Sequence, residues 1–584
     1  MNAPADATAT LRTGRLAVHV SGGPHLSHNL TLLPQDDPLL KTEAARACPV
    51  AVAVPGRRLA GDDFAVATLY GGHDMLIVTC LADNVELRLS WAAAPLDALR
   101  LLVQARTTNG AVLDAELHLP FLDHLYPGDA AEPICHDPGR GPLASDGRPL
   151  VRAGRYPLPR ACWSAYGGVA VLARVEAAVG EADPWRWLTP PDAMQVRLRP
   201  AWVDACELII MACDPGWPGV FAALRGQLRA GLDLEEYRRP DLAWYRRQWL
   251  QHFTFLYGGE IFDHTRGRFD ANRLLDEGLR FGGYDGLLLW PAYPRIGVDE
   301  RSQWDFYDDL PGGRAGLREL ATQARARGGR VFIPYLPWDA PGECRHGEPP
   351  VAAQELARVV ADIGADGVFL DTIGSTLPQF RREIDRVRSG VVFCAELQPG
   401  PRAIEHITGS WDQAEHRQPG EVDLLRFLFP EHPSFVINRH AIGMHRRSMI
   451  ARALFNGTGL VVWQDVFGEV LPYSTGETEL VRCTIATLRR YADRFRGADA
   501  LPLVPTAQPD LQANAFIAED GRAALTVHNG GDGDVEGPLV TWTHDAGQEW
   551  IRAGEREADS RPQDVPTGAL MPGEVAVFVS VPRR

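Results

Sequence analysis

Two carboxylates, Asp371 and Glu396, are the residues whose types and spacing best fit bond-breaking chemistry. Residues 366–371 (DGVFLD) and 391–396 (VVFCAE) are short apolar runs, each closing on an acid, and residues 377–388 between them have helical spacing with mixed charge. That pattern predicts two parallel strands joined by a crossover helix. Strands buried on both faces lie in the middle of an α/β fold, with ligands outside their carboxyl ends. Adjacent strands bring those ends side by side, and two carboxyl groups held close are the arrangement for nucleophilic and acid/base attack on a glycosidic bond. Either acid alone could equally cap a helix or pair with an arginine; the two together make the candidate catalytic pair. Their expected separation is about 5 to 6 Å, the spacing tied to retention of anomeric configuration.

The rest of the chain has to position this pair. From residue 253 onward short apolar runs alternate with amphipathic stretches: 254–258, 285–290, 330–338, 366–371 and 391–397 read as five strands in βα order. Residues 423–429, 435–440 and 459–465 are candidates for three more. Eight strands in about 250 residues predict a (β/α)8 TIM-type barrel with its site at the C-terminal ends of the strands; a doubly wound sheet is the alternative. Before it, period-two runs such as 15–20, 64–70, 75–81, 85–93, 99–105, 112–119, 169–175 and 206–213 predict an N-terminal β-sandwich. A long Pro- and Gly-rich loop at 126–159 interrupts them. The expected division is a sandwich over 1–215, a helical linker over 216–250, the barrel over 251–500 and a small C-terminal β-sandwich over 501–584: a multidomain α/β protein.

Collected at the predicted strand ends are Trp290 and Tyr293, then Trp304 and Asp305, Trp338 and Asp339, Trp411 and Asp412, Arg439 and His440, and Trp463 and Asp465. A single tryptophan is more often core than ligand platform. As a set on one face they suggest a sugar, because flat aromatic faces cover pyranose C–H surfaces while carboxylates, amides and arginine bind hydroxyls. No Gly-rich phosphate loop and no clustered metal spacing accompanies them, so neither a metal nor another cofactor is expected.

Composition narrows the partners. The 584 residues carry 59 basic and 75 acidic side chains, a net charge of −16, which disfavours nucleic acid and anionic membranes and suits a neutral carbohydrate. Lys41 is the only lysine, so a Schiff-base isomerase or lyase is excluded. Nine scattered cysteines without a C-x-x-C pair speak against a disulfide framework or zinc site, and Cys394, inside an apolar run, reads as a packed thiol. The amino terminus lacks the pattern of a secretory signal and no stretch is apolar enough to span a bilayer, so a cytoplasmic location is expected.

The order of sandwich, barrel and small β domain resembles the large retaining α-glycosidases, including the α-galactosidase and endo-α-N-acetylgalactosaminidase types. An Asp ending the fourth strand and a Glu ending the fifth resembles the second of these and the α-amylase clan; the α-galactosidase type places its acid at the sixth strand. Residues 447–468 (RSMIARALFNGTGLVVWQDVFG) are similar to the R-x-L…G-x-x-x-x-x-D-x-x-G segment of α-glucosidase-type barrels. Phe369 stands where the α-amylase clan has arginine, and Asn438, Arg439 and His440 match its late His-Asp pair loosely. The resemblance implies that Asp371 attacks the anomeric carbon and Glu396 serves as acid and then base. It implies that Asp339, Asp412 or Asp465 holds substrate hydroxyls and that Arg439 orients Asp371. A carbohydrate-binding protein on an inactive barrel is the rival expectation.

Overall fold

The computed structural model describes residues 8–14, 16–21, 27–32, 37–38, 50–118, 133–137, 141–143, 160–164, 169–176, 185–187, 193–214, 217–291, 301–339, 349–400, 403–413, 419–439, 445–497, 499–542, 547–554 and 562–583. Two compact units divide the chain, Met1–Gly231 and Leu232–Arg584. The break falls inside the stretch read as a linker. Helix Trp217–Arg229 lies in the first unit. The second half of that stretch is two single 3-10 turns, Glu235–Arg238 and Tyr245–Arg247, and then strand from Leu250. The helical character expected of the linker up to residue 250 is therefore confined to its first half.

Among the described residues the sheets of the first unit are antiparallel. A ten-stranded sheet and two four-stranded sheets supply one shared core. Period-two alternation does this directly: along Val85–Ala94 the residues Val85, Leu87, Leu89 and Trp91 are buried and their neighbours are not. Most of the loop expected at 126–159, like Tyr293 and His440, lies outside the described residues.

The second unit is built on a closed eight-stranded parallel barrel in sequential order: Leu250–Phe255, Gly286–Trp290, Arg330–Tyr335, Gly367–Leu370, Val392–Ala395, Gly409–Asp412, Ser434–Asn438 and Gly459–Val462. Six of these fall where the sequence places them. The first begins four residues earlier than expected, at Leu250. The sixth is displaced: residues 423–429 were expected as strand, but Leu424–Leu428 is a helix with every residue buried, and the strand is the GSWD segment. A short continuous apolar run has no period to separate strand from buried helix, while Gly409 and Ser410 look like turn residues.

Large side chains fill the barrel. Phe253, Leu288, Trp290, Phe332, Phe369, Cys394, Trp411, Phe435, Ile437, Val461 and Trp463 form one buried cluster. Phe253 is its hub, stacked on Trp463 with ring centroids 4.2 Å apart and 5.2 Å from Trp290. Alternation then sets direction: residues in step with this cluster point inward, and their neighbours point to the helix layer. Cys394 is the packed thiol its context suggests, its pKa pushed up to about 12 by burial.

After the barrel, a five-stranded antiparallel sheet and a two-stranded pair enclose their own core over residues 499–583. This domain is fastened to the barrel's helix Arg446–Asn456. Asn514 Nδ2 and Thr526 Oγ1 donate to the Phe455 carbonyl at 3.0 and 2.6 Å, leaving an otherwise awkward helix-end acceptor doubly satisfied.

Candidate active site

Strand pairing places the two acids. Leu370 is in register with Ala395, and the ladder runs one step further: Asp371 N–H donates to the Tyr335 carbonyl at 3.0 Å and Glu396 N–H to the Leu370 carbonyl at 2.9 Å. Phe369 and Cys394 face the barrel interior, so Asp371 and Glu396, two residues on, face the same way at its C-terminal mouth.

The two carboxyl groups are near enough for Glu396 to raise the pKa of Asp371. Neighbouring carboxylates repel, so each disfavours the other's ionisation. Trp338 Nε1 donates to Asp371 Oδ2 at 2.6 Å. Thr372 N–H donates to Glu396 Oε2 at 2.5 Å, and the Gln413 amide donates to Glu396 Oε1. Burial pushes Asp371, only 5% exposed, up to about 7; the indole of Trp338 opposes this, and the charge of Glu396 adds to it. Among the described residues no arginine or histidine pairs with either acid.

Backbone strain supports the arrangement. Thr372 has φ of 58°, a left-handed conformation that a β-branched side chain adopts at a cost of about 1–3 kcal/mol. That conformation turns its N–H onto Glu396. Trp338 is held from behind. Gln303 donates to the Leu336 carbonyl at 2.8 Å and accepts from Leu336 N–H at 2.9 Å, fixing the turn that presents the indole.

The other expected site residues separate into distinct groups. Trp338, 41% exposed, is the aromatic side chain that reaches the acid pair. Trp290, Trp411 and Trp463 are buried plugs of the barrel, forming the floor beneath it. Arg439 lies over the Trp463 ring at 5.0 Å, and Asp371 accepts from Trp338 instead, so the expected orientation of Asp371 by Arg439 is not found.

Five other residues expected to contact substrate have partners within the fold. Asp305 caps its own helix, accepting from Ser302 N–H and Oγ at 2.7 and 2.8 Å. Trp304 is buried on that helix, stacked 6.2 Å from Tyr335. Asp339 is buried and accepts from Gln303 N–H at 2.5 Å at the same helix start. Asp412 follows the inward-facing Trp411, so it points outward and forms a buried ion pair with Arg452 of helix Arg446–Asn456. Asp465 sits in a hairpin turn, where Oδ1 accepts from Gly468 N–H at 2.7 Å and its carbonyl accepts from Trp463 Nε1.

Gln413 and Thr372 were missed. Parity would have identified Gln413 as inward-facing had the sixth strand been recognised. Nothing in the sequence signals the positive φ of Thr372. Among the described residues no group of three or more His, Cys, Asp or Glu is disposed to hold a metal ion, and no helix is long and apolar enough to cross a membrane.

No protein-family model matches the sequence, and no curated protein sequence matches it. Solved structures do. The whole chain aligns with the galactosidase domain of an α-galactosidase–sucrose kinase over its full length, with a TM-score of 0.55 at 11% identity. It aligns over its full length with 99% of an α-galactosidase from Lactobacillus brevis, TM-score 0.52 at 11% identity. A GH36 α-galactosidase from Geobacillus stearothermophilus is covered completely, TM-score 0.51 at 12% identity. At such identities the likeness is one of fold: a (β/α)8 barrel between β domains.

Proposed function

We propose that the protein is a glycoside hydrolase acting on an α-linked glycoside with retention of configuration. The observation that carries this reading is the Asp371–Glu396 pair: two inward-facing carboxyls on neighbouring barrel strands, acting on each other, beside an exposed indole. A structural acid would be neutralised by arginine; these are not. Carboxyls on neighbouring strands, near enough for one to raise the pKa of the other, support the close spacing of a retaining pair. The α-linkage rests on the likeness of fold to α-galactosidases.

In this reading Asp371, ionised, attacks the anomeric carbon while Glu396 protonates the departing oxygen. Loss of the leaving group then makes Glu396 a base, and it activates the water that hydrolyses the glycosyl-enzyme. The sugar enters between the acids, with Trp338 as its aromatic face. A second reading reverses the roles. Burial raises Asp371, which suits it to hold a proton as the acid.

Screening nitrophenyl α- and β-glycosides, with proton NMR of the first-formed sugar, tests the activity and its stereochemistry. Turnover of α-glycosides to an α-product is the expected result; an inverted product or no turnover overturns it. Trapping with a fluoroglycoside followed by peptide mass spectrometry separates the role assignments: label on Asp371 supports the first, label on Glu396 the second.

A further inference from the structure

The hairpin that follows the eighth barrel strand is built against its local preferences. Asp465–Val466 and Glu469–Val470 pair antiparallel, with Val466 opposite Glu469, so the turn has only Phe467 and Gly468 in it. Both have positive φ, 54° and 88°. That combination belongs to the type I′ turn, which asparagine, aspartate and glycine adopt easily and a bulky aromatic residue adopts only under strain. The turn is locked all the same. Asp465 Oδ1 accepts from Gly468 N–H at 2.7 Å, Leu471 N–H donates to the Gln464 carbonyl at 3.0 Å, and the Asp465 carbonyl accepts from Trp463 Nε1.

Packing recovers little of this strain, because Phe467 is 60% exposed. What the turn does is aim the ring. Phe467 stands edge-on to Trp463 with centroids 5.6 Å apart, and its ring is 6.0 Å from that of Phe255 at the end of the first strand. Trp463 is buried barrel filling and Phe255 packs on the same cluster, so the Phe467 ring lies over the C-terminal mouth and not over the helix layer. The first and eighth strands close the barrel on each other, with Leu250 in register with Leu460, while the acids end the fourth and fifth. In a ring of eight strands these are opposite walls. Such a barrel is about 15 Å across at the backbone, and side chains reaching in from both walls narrow that gap to the scale of a sugar ring.

We infer that Phe467 is a stacking platform for the substrate, taking the apolar C–H face of a neutral pyranose on the wall of the mouth that faces Asp371 and Glu396. The inference rests on reading that acid pair as a glycosidase site. Strain held at an exposed position beside a site is the pattern of a functional residue, since neither turn chemistry nor burial asks for phenylalanine there. An aromatic face grips the sugar equally before and during bond breaking, so Phe467 acts on KM and on the choice of sugar more than on kcat.

Phe467→Asn in the full chain tests this, because it removes the ring and leaves the Asn-Gly turn that type I′ geometry favours. Its Tm is expected to equal or exceed that of wild type. With the α-glycoside that wild type turns over, KM should rise about fivefold to tenfold at little cost in kcat, and Phe467→Tyr should restore it. Calorimetric binding of the methyl α-glycosides of galactose, glucose and N-acetylgalactosamine should weaken by the same factor. Unchanged KM and Kd in Phe467→Asn overturn the platform and leave the hydrolase reading standing, and a fall in Tm with KM unchanged shows a packing role and overturns it too. Binding without turnover in wild type, weakened in Phe467→Asn, upholds the platform and overturns the hydrolase reading. Wild type that binds none of these sugars overturns both.

Discussion

The fourth barrel strand has an aspartate at each end, and the two live under opposite rules. Asp366, entering the strand, is 2% exposed and is paired with Arg325, Arg330 and Arg388 at 3.3, 3.3 and 3.0 Å. It also accepts from Val331 N–H at 3.1 Å. Asp371, leaving the strand, is as deeply buried but meets a second acid and an indole. One end compensates charge for stability, and the other withholds compensation so that a carboxyl keeps its proton and its reactivity. Asp412 at the end of the sixth strand extends the lesson. It occupies the catalytic face by position along its strand, yet faces outward onto Arg452 and behaves like Asp366. The partner, more than the place in the sequence, separates a structural acid from a reactive one.

The contrast is most severely tested by Asp371→Asn. Removal of the proposed nucleophile is expected to lower kcat by about 10⁴-fold or more, while Tm at neutral pH holds or rises because a charge in an unfavourable place is lost. A fall in Tm of the size seen for Asp366→Asn would break the distinction. Glu396→Gln is next, with a loss of about 10²–10⁴-fold on sugar leaving groups. Dinitrophenyl glycosides, which need no proton, should be spared, and azide should rescue Glu396→Ala as a glycosyl azide of unchanged configuration. Equal loss on good and poor leaving groups would remove Glu396 from the acid/base role.

Asp412→Asn should reverse the pattern, costing about 3 kcal/mol of stability by stranding the buried Arg452 guanidinium but leaving kcat of the folded enzyme close to wild type. Denaturant midpoints alongside single-turnover rates separate the two. A finer difference lies in pH dependence. Folded Asp371 holds its proton up to about pH 7, against an ordinary value of 3.8. Between those values the folded state binds a proton that the unfolded chain releases, so this group's contribution to stability falls as pH rises through that window. The Tm of Asp371→Asn minus that of wild type should therefore grow from pH 3.8 to pH 7 and then level off; a flat difference would show that the acid is not raised. The smallest effect is expected from Trp338→Phe, which keeps an aromatic face but deletes the donor to Asp371, at roughly tenfold in kcat/KM.

The sequence alone determined the repeating architecture, because period-two runs and βα alternation are local consequences of which faces must be buried. It also determined the candidate pair: two apolar runs ending in acids, one crossover apart, leave little freedom in where Asp371 and Glu396 go. The sixth strand was hidden, since GSWD lacks a strand's signature and the neighbouring LLRFL run imitates one. With it went the parity that turns Asp412 away and Gln413 inward. Only the tertiary structure could decide that Trp290, Trp411 and Trp463 are barrel filling, that Asp305 and Asp339 belong to a helix start, and that Asp412 pairs with Arg452. Each depends on partners brought together from distant parts of the chain, and charge compensation is a property of neighbours in space, which linear spacing does not encode.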